Sequence, residues 1–148
     1  MTDNELLEAL AAKFRAYATS PLADMEIHTE DQDAYSEPDG FVAVGWEWGG
    51  SMDWRGIGNT TVARDDKINI TIRAATKRTA NTDANREAVK TVCQQIRDVI
   101  VDNLQISAGG DTARSAGGVR WEYKRAEEGQ NRYWVADIYV TYRIPPEN

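Results

Sequence analysis

His28 and Cys93 stand alone in this sequence, one histidine and one cysteine among 148 residues. A transition-metal site needs several imidazoles or thiolates held together, and neither residue has that company. The apolar pattern around Cys93 has helical spacing and makes it a core side chain, and a lone thiol excludes an intramolecular disulfide. His28 lies in Asp24–Asp39, a stretch with seven carboxylates and no lysine or arginine. There it reads as a surface residue rather than a catalytic base. A calcium loop begun at Asp31 and Asp33 would need glycine where Ser36 stands, and Pro38 interrupts it, so the stretch reads as solvated acid. "GWEWGG" lacks the Gly-Lys-Ser/Thr of a phosphate loop, and neither "GIGNTT" nor "SAGGDTARSAGG" has the glycine spacing of a dinucleotide site. Twenty-four carboxylates single out no acid–base pair. The inventory predicts a protein that is not an enzyme, with no catalytic residue, no metal and no cofactor.

The aromatic residues carry more information. There are thirteen, eleven of them Trp or Tyr, and "GWEWGGSMDWRG" at Gly45–Gly56 holds Trp46, Trp48 and Trp54 among glycines. Alternation along the last strand puts Trp134 and Tyr142 on one face and Tyr133 and Tyr139 on the other. One layer of helices covers one face of a sheet, so the other face offers large amphipathic side chains of the type enriched at protein–protein interfaces. Assembly is therefore the expected use of Trp48, Trp54, Arg55, Tyr133 and Tyr139. A platform for a sugar, a base or another small ligand is the rival reading.

These residues must be positioned by a small set of elements. Leu6, Leu7, Leu10, Ala11, Phe14 and Tyr17 recur at helical spacing and predict a helix from Asn4 to Tyr17, opened by a capping box of Thr2 and Glu5 and ended by "TSP" at 19–21. A short strand is expected around Met25–Thr29. "FVAVGWEW" places Val42, Val44, Trp46 and Trp48 on one side of a strand and Phe41, Ala43, Gly45 and Glu47 on the other. "GGSMDWRGIGNT" then reads as a flexible glycine loop, and "KINITIRAAT" as a strand with Ile68, Ile70 and Ile72 inward, completing a hairpin. The longest apolar stripe, Ala88, Val89, Val92, Cys93, Ile96, Val99, Ile100 and Leu104, predicts a central helix over Asp83–Asn103. "SAGGDTARSAGG" reads as a linker, and two strands joined at "EEGQN" close the chain. The prediction is one domain over residues 1–148 of α+β class: an antiparallel or mixed sheet covered on one face by two helices, in the order α-β-β-β-α-β-β.

Seventeen basic and twenty-four acidic side chains give a formal charge of −7, which opposes nonspecific attraction to nucleic acid or anionic lipid. Five lysines to twelve arginines is a lysine-poor balance that suits a high-salt cytoplasm. No run approaches the ~20 apolar residues of a spanning helix, and "MTDNELLEAL" lacks the basic start of a signal peptide. The protein is expected to act in the compartment where it is made, away from membranes.

An N-terminal amphipathic helix ("NELLEALAAKFRAY"), a hairpin with a long tip, the passage "INITIRAATKRTANTDANREAVKTVCQQIRDVIVDNL" and a C-terminal hairpin ending in "YWVADIYVTYRI" together resemble the tail terminator, or tail completion, proteins of long-tailed phages and archaeal tailed viruses. The resemblance spans nearly the whole chain and rests on element order and length rather than on an invariant motif. It implies a structural virion protein of the tail and neck, assembled in the host cytoplasm as a homohexameric ring that caps the tail tube and joins it to the head. The implied partners are other copies of the chain, the tail tube protein and a head-completion or stopper protein, with DNA passing through without tight binding. Another head–tail connector is the alternative within the same particle. An acidic channel would keep DNA mobile, and Glu30, Asp31, Asp33, Glu127 and Glu128 are candidates to line it.

Overall fold

Thr2 and Glu5 do form the capping box. The Thr2 hydroxyl accepts from the Glu5 amide while the Glu5 carboxylate accepts from the Thr2 amide, opening helix α1 at Asp3–Arg15. Its stripe of Leu6, Leu7, Leu10, Ala11 and Phe14 is buried. The structure, a computed structural model, describes residues 1–29, 40–57, 61–76, 82–128 and 131–144, with side chains described at all of these except 53–57, 61–65, 82, 126–128 and 131–132. After α1 come strand β1 at Glu26–His28, β2 at Gly40–Ile57, β3 at Thr61–Thr76, helix α2 at Thr82–Asp102, β4 at Gln105–Ala108, β5 at Asp111–Ser115, β6 at Arg120–Glu128 and β7 at Asn131–Ile144.

The strands form one mixed seven-stranded sheet in the order β1-β2-β3-β7-β5-β4, with β6 also paired to β7. Only β1 and β2 run parallel; the other pairings are antiparallel. The architecture is the α+β fold predicted, with both helices on one face. Leu6, Leu10 and Phe14 of α1 and Val92, Cys93, Ile96 and Ile100 of α2 share a core with Val42, Val44, Ile70, Ile72 and Ile138. Cys93 is buried as expected, and burial pushes its thiol up from the ordinary cysteine value.

Four expectations need correction. "SAGGDTARSAGG" is not a linker: β4 and β5 form a hairpin around Gly109 and Gly110, whose φ values of +59° and +82° suit a two-residue turn that needs the left-handed region at both positions. "GGSMDW" is not a loop, because β2 continues to Ile57 and pairs with β3 throughout, down to Ile57 opposite Thr61. Trp46 and Trp48 do not share a face. Val44 pairs with Ile72 and Glu47 with Thr71, so Gly45 and Trp46 are an insertion into the ladder. Gly45 has φ +86°, and a Cβ there would crowd Leu7 at 3.2 Å; the turn it allows sends Trp46 to the face away from the helices, against Phe41. Leu104, finally, lies beyond the end of α2 and is 51% exposed, so it does not extend the buried stripe.

Two buried amides tie α2 to its neighbours. Asn85, at the start of α2, donates from Nδ2 to the Thr76 hydroxyl at 2.6 Å and accepts the Trp134 amide on Oδ1 at 2.7 Å, tying the helix to β3 and β7. Gln95 accepts the Leu22 amide at 3.0 Å and donates to the Ser20 carbonyl at 3.0 Å, holding the segment after α1 against α2.

Candidate functional site

Strand register builds the face of the sheet away from the helices in rows of polar and apolar side chains. Phe41, Ala75, Val135 and Lys124 lie abreast across β2, β3, β7 and β6; Ala43, Arg73, Asp137 and Glu122 form the next row; Glu47, Thr71, Tyr139 and Arg120 the third. Apart from Lys124 the first row is apolar. Phe41, Ala43, Ala75 and Val135 are buried as a small second cluster, with Trp46 and Tyr133 packed partly over it.

The second row is ionic. Asp137 is 1% exposed and takes two hydrogen bonds from Arg73, Nε to Oδ1 at 2.8 Å and Nη2 to Oδ2 at 2.9 Å. Lys124 adds a contact to Asp137 at 3.1 Å and one to Glu122 at 3.0 Å. Burial by itself pushes the Asp137 carboxyl up, but Arg73 and then Lys124 reverse this and leave it below the usual carboxylate value. Arg73 and Lys124 are pushed up in turn, chiefly by their bonds to Asp137 and Glu122 respectively.

The third row adds oriented aromatics. The Tyr139 hydroxyl donates to Glu122 Oε1 at 2.5 Å, which lowers the Glu122 carboxyl and raises the Tyr139 phenol. Arg120 lies 4.1 Å over the Tyr139 ring and Arg73 4.4 Å over the Trp46 ring, both within cation–π range. Beside Arg120 and Tyr139 a shallow cleft of about 330 Å³ is lined by Asn69, Thr71, Gly118 and Thr141 among others. The charges of this surface neutralise one another. Among the described residues of this face no nucleophile stands beside a base.

Of the residues predicted for partner contact, Tyr133 and Tyr139 are on this face and half-buried. Trp48 is 49% exposed but stands on the opposite face, its backbone opposite Ile70, beside the start of α1. Trp54 and Arg55 belong to β2 and pair with Arg64 and Ala63; their side chains lie outside the described residues. Glu127 and Glu128 end β6, opposite Arg132 and Asn131, and their side chains are likewise not described. Glu30, Asp31 and Asp33 lie outside the described residues. His28 sits at the end of β1 with Nε2 3.0 Å from Glu26 Oε2.

The sequence reading missed the pairing of Arg73 with Asp137 and the place of Trp46. Its usable signal was a charged residue at the centre of each of two apolar strands, "ITIRAA" and "WVADIYV", because a central strand keeps a charge only when a neighbour answers it. Among the described residues no group of three metal-ligating side chains comes together, and no helix is long and apolar enough to cross a membrane.

No protein-family profile matches the sequence, and no curated protein matches it. One solved structure superposes on 100% of this chain and 99% of its own at a TM-score of 0.63 with 10% sequence identity. At that identity the likeness is one of fold.

Proposed function

We propose that this protein is a tail terminator: a non-enzymatic virion component whose copies close into a hexameric ring on the end of a tail tube and offer the surface that joins tube to head. One observation carries the reading. The sheet face left free by the helices is a preorganised set of large amphipathic and mutually neutralised side chains, Trp46, Arg73, Lys124, Tyr133 and Tyr139, which suits a protein surface better than a reacting molecule. The long β2–β3 hairpin, the helix that follows it and the aromatic last strand, features on which the resemblance rests, support it. Its partners in this reading are its own copies, the tail tube protein and a head-completion or stopper protein. The acidic balance keeps DNA mobile in the ring, with the Asp24–Asp39 segment and the β6–β7 tip as the first places to look for channel lining.

The test is the mass of the purified protein and its effect on tail tubes. Six-membered rings, and tubes whose growth stops when the protein is added, are the expected result. A chain that stays at 16.5 kDa at every concentration, binds a small molecule saturably and leaves tubes growing overturns the reading in favour of a ligand-binding module.

A further inference from the structure

Two long strands have a side with no partner among the described residues. β2 pairs with β1 only over Phe41–Ala43, so its outer edge is open from Gly45 onward. β6 pairs with β7 alone. Every residue from Glu47 to Met52 is exposed, as are Arg120, Trp121, Lys124 and Arg125 of β6. An open strand edge is a row of free amide and carbonyl groups, a template for another strand.

The two edges are opposite in charge and alike in pattern. On β6 the side facing away from the helices carries Arg120 over the Tyr139 ring and Lys124 paired with Glu122 and Asp137, and the strand from Arg120 to Arg125 holds three cations to one carboxylate. On β2 the same side carries Glu47, whose partner Thr71 fixes that orientation. On the helix side, β6 presents Trp121, 41% exposed with Arg97 3.8 Å over its ring. One helical turn beyond Arg97 stands Val101, 62% exposed. On β2 the helix side presents Trp48 and Met52, 49% and 40% exposed, beside two shallow grooves that share Asp3 and Asp66, with Lys67 in the one at Met52. Both edges run for six exposed or half-exposed residues, about 20 Å at ~3.3 Å per residue.

We infer that a second copy of this chain docks edge to edge, β6 of one subunit beside the Glu47–Met52 part of β2 of the next, continuing the sheet between them. Trp121 and Val101 then meet Trp48 and Met52 on the helix side, while Arg120 and Lys124 meet Glu47 on the other. The cations of β6 repel a second β6, so the contact joins unlike edges, and such a head-to-tail contact propagates from subunit to subunit and closes into a ring where the rotation between neighbours closes. The inference rests on the ring reading above and gives it an interface.

Two variants test it by mixing. Gly49 has space around it for a side chain and no left-handed φ, so Glu47→Lys/Gly49→Lys makes the β2 edge basic without disturbing the subunit; Arg120→Glu/Arg125→Glu reverses the β6 edge. Matching unfolding curves check that both variants fold. Each variant alone is expected to lose ring formation at least tenfold in concentration dependence. The two doubly substituted edges are now basic and acidic, so a mixture is read at two levels: the intact β6 of the first variant meets the intact β2 of the second, and their reversed edges meet with complementary charge. Mixing therefore restores assembly. Rings formed by either variant alone as readily as by wild type overturn the inference and leave the ring reading standing. Wild-type chains that associate into open filaments, with rescue by mixing, keep the edge contact and overturn the ring. Wild-type protein that stays monomeric at every concentration overturns both.

Discussion

Arg73 on β3 and Asp137 on β7 are 64 positions apart in sequence and directly opposite in the sheet, joined by two parallel hydrogen bonds of 2.8 and 2.9 Å. The paired geometry lets a planar guanidinium answer both oxygens of a carboxylate that is otherwise out of reach of water.

Removing the acid leaves Arg73 and Lys124 facing one another. Asp137→Ala is expected to destabilise the protein by about 3 kcal/mol, the lower end for a broken buried pair because Arg73 keeps some access to solvent. Urea titration measures it, and a loss under ~0.5 kcal/mol would mean that the pair contributes nothing net.

The same pair predicts the direction of an acid effect. The folded Asp137 carboxyl is held below its ordinary value, so its contribution is full above the unfolded value of about 3.9 and is lost as pH falls through the lower folded value. Wild-type stability should fall between about pH 5 and pH 2 more steeply than that of Asp137→Asn, whose side chain does not titrate in this range. Parallel curves for the two proteins would locate the acid sensitivity elsewhere.

Asn85 joins three elements with one side chain. Asn85→Ala strands the Trp134 amide and the Thr76 hydroxyl, and a loss of about 1–3 kcal/mol is expected. Amide hydrogen exchange at Trp134 should quicken in the variant; unchanged exchange there would show that the bond does not hold β7.

Ile96 is wholly buried between α2 and the sheet. Ile96→Ala should cost about 2–5 kcal/mol, as other large-to-small core changes do. By contrast Trp48→Ala, at a half-exposed position, should alter subunit stability by no more than about 0.5 kcal/mol. In the proposed ring it weakens association, and sedimentation at increasing concentration separates the two effects.

The parts of the fold legible in the sequence were those whose burial pattern repeats locally. Leu6 to Phe14 and Val89 to Ile100 repeat at helical spacing, and Ile68, Ile70 and Ile72 repeat at strand spacing, so each element declares its own inner face. The glycine-rich stretch after Trp48 did not, because its strand conformation comes from the β3 ladder rather than from the propensity of its residues. Gly45 inside an alternating strand was a bulge signal, and the Gly109–Gly110 pair between Ile106 and Ala113 was a hairpin signal; both were outweighed by composition. Of the candidate surface, the facing of Tyr133 and Tyr139 could be read from alternation alone. The Arg73–Asp137 bond could not, since it depends on which strand β3 chooses as neighbour, a fact of topology that no local window contains.

Cys93 gives the molecule a built-in clock. It is the single thiol of the chain, fully buried in α2, with its pKa pushed up by that burial, and a thiol-specific reagent reaches only the exposed thiolate. Labelling can therefore proceed only through openings that lift α2 from the sheet, and its rate reports how often the central helix lets go. No engineered probe is needed to time that event, in the free subunit or in any assembly it enters.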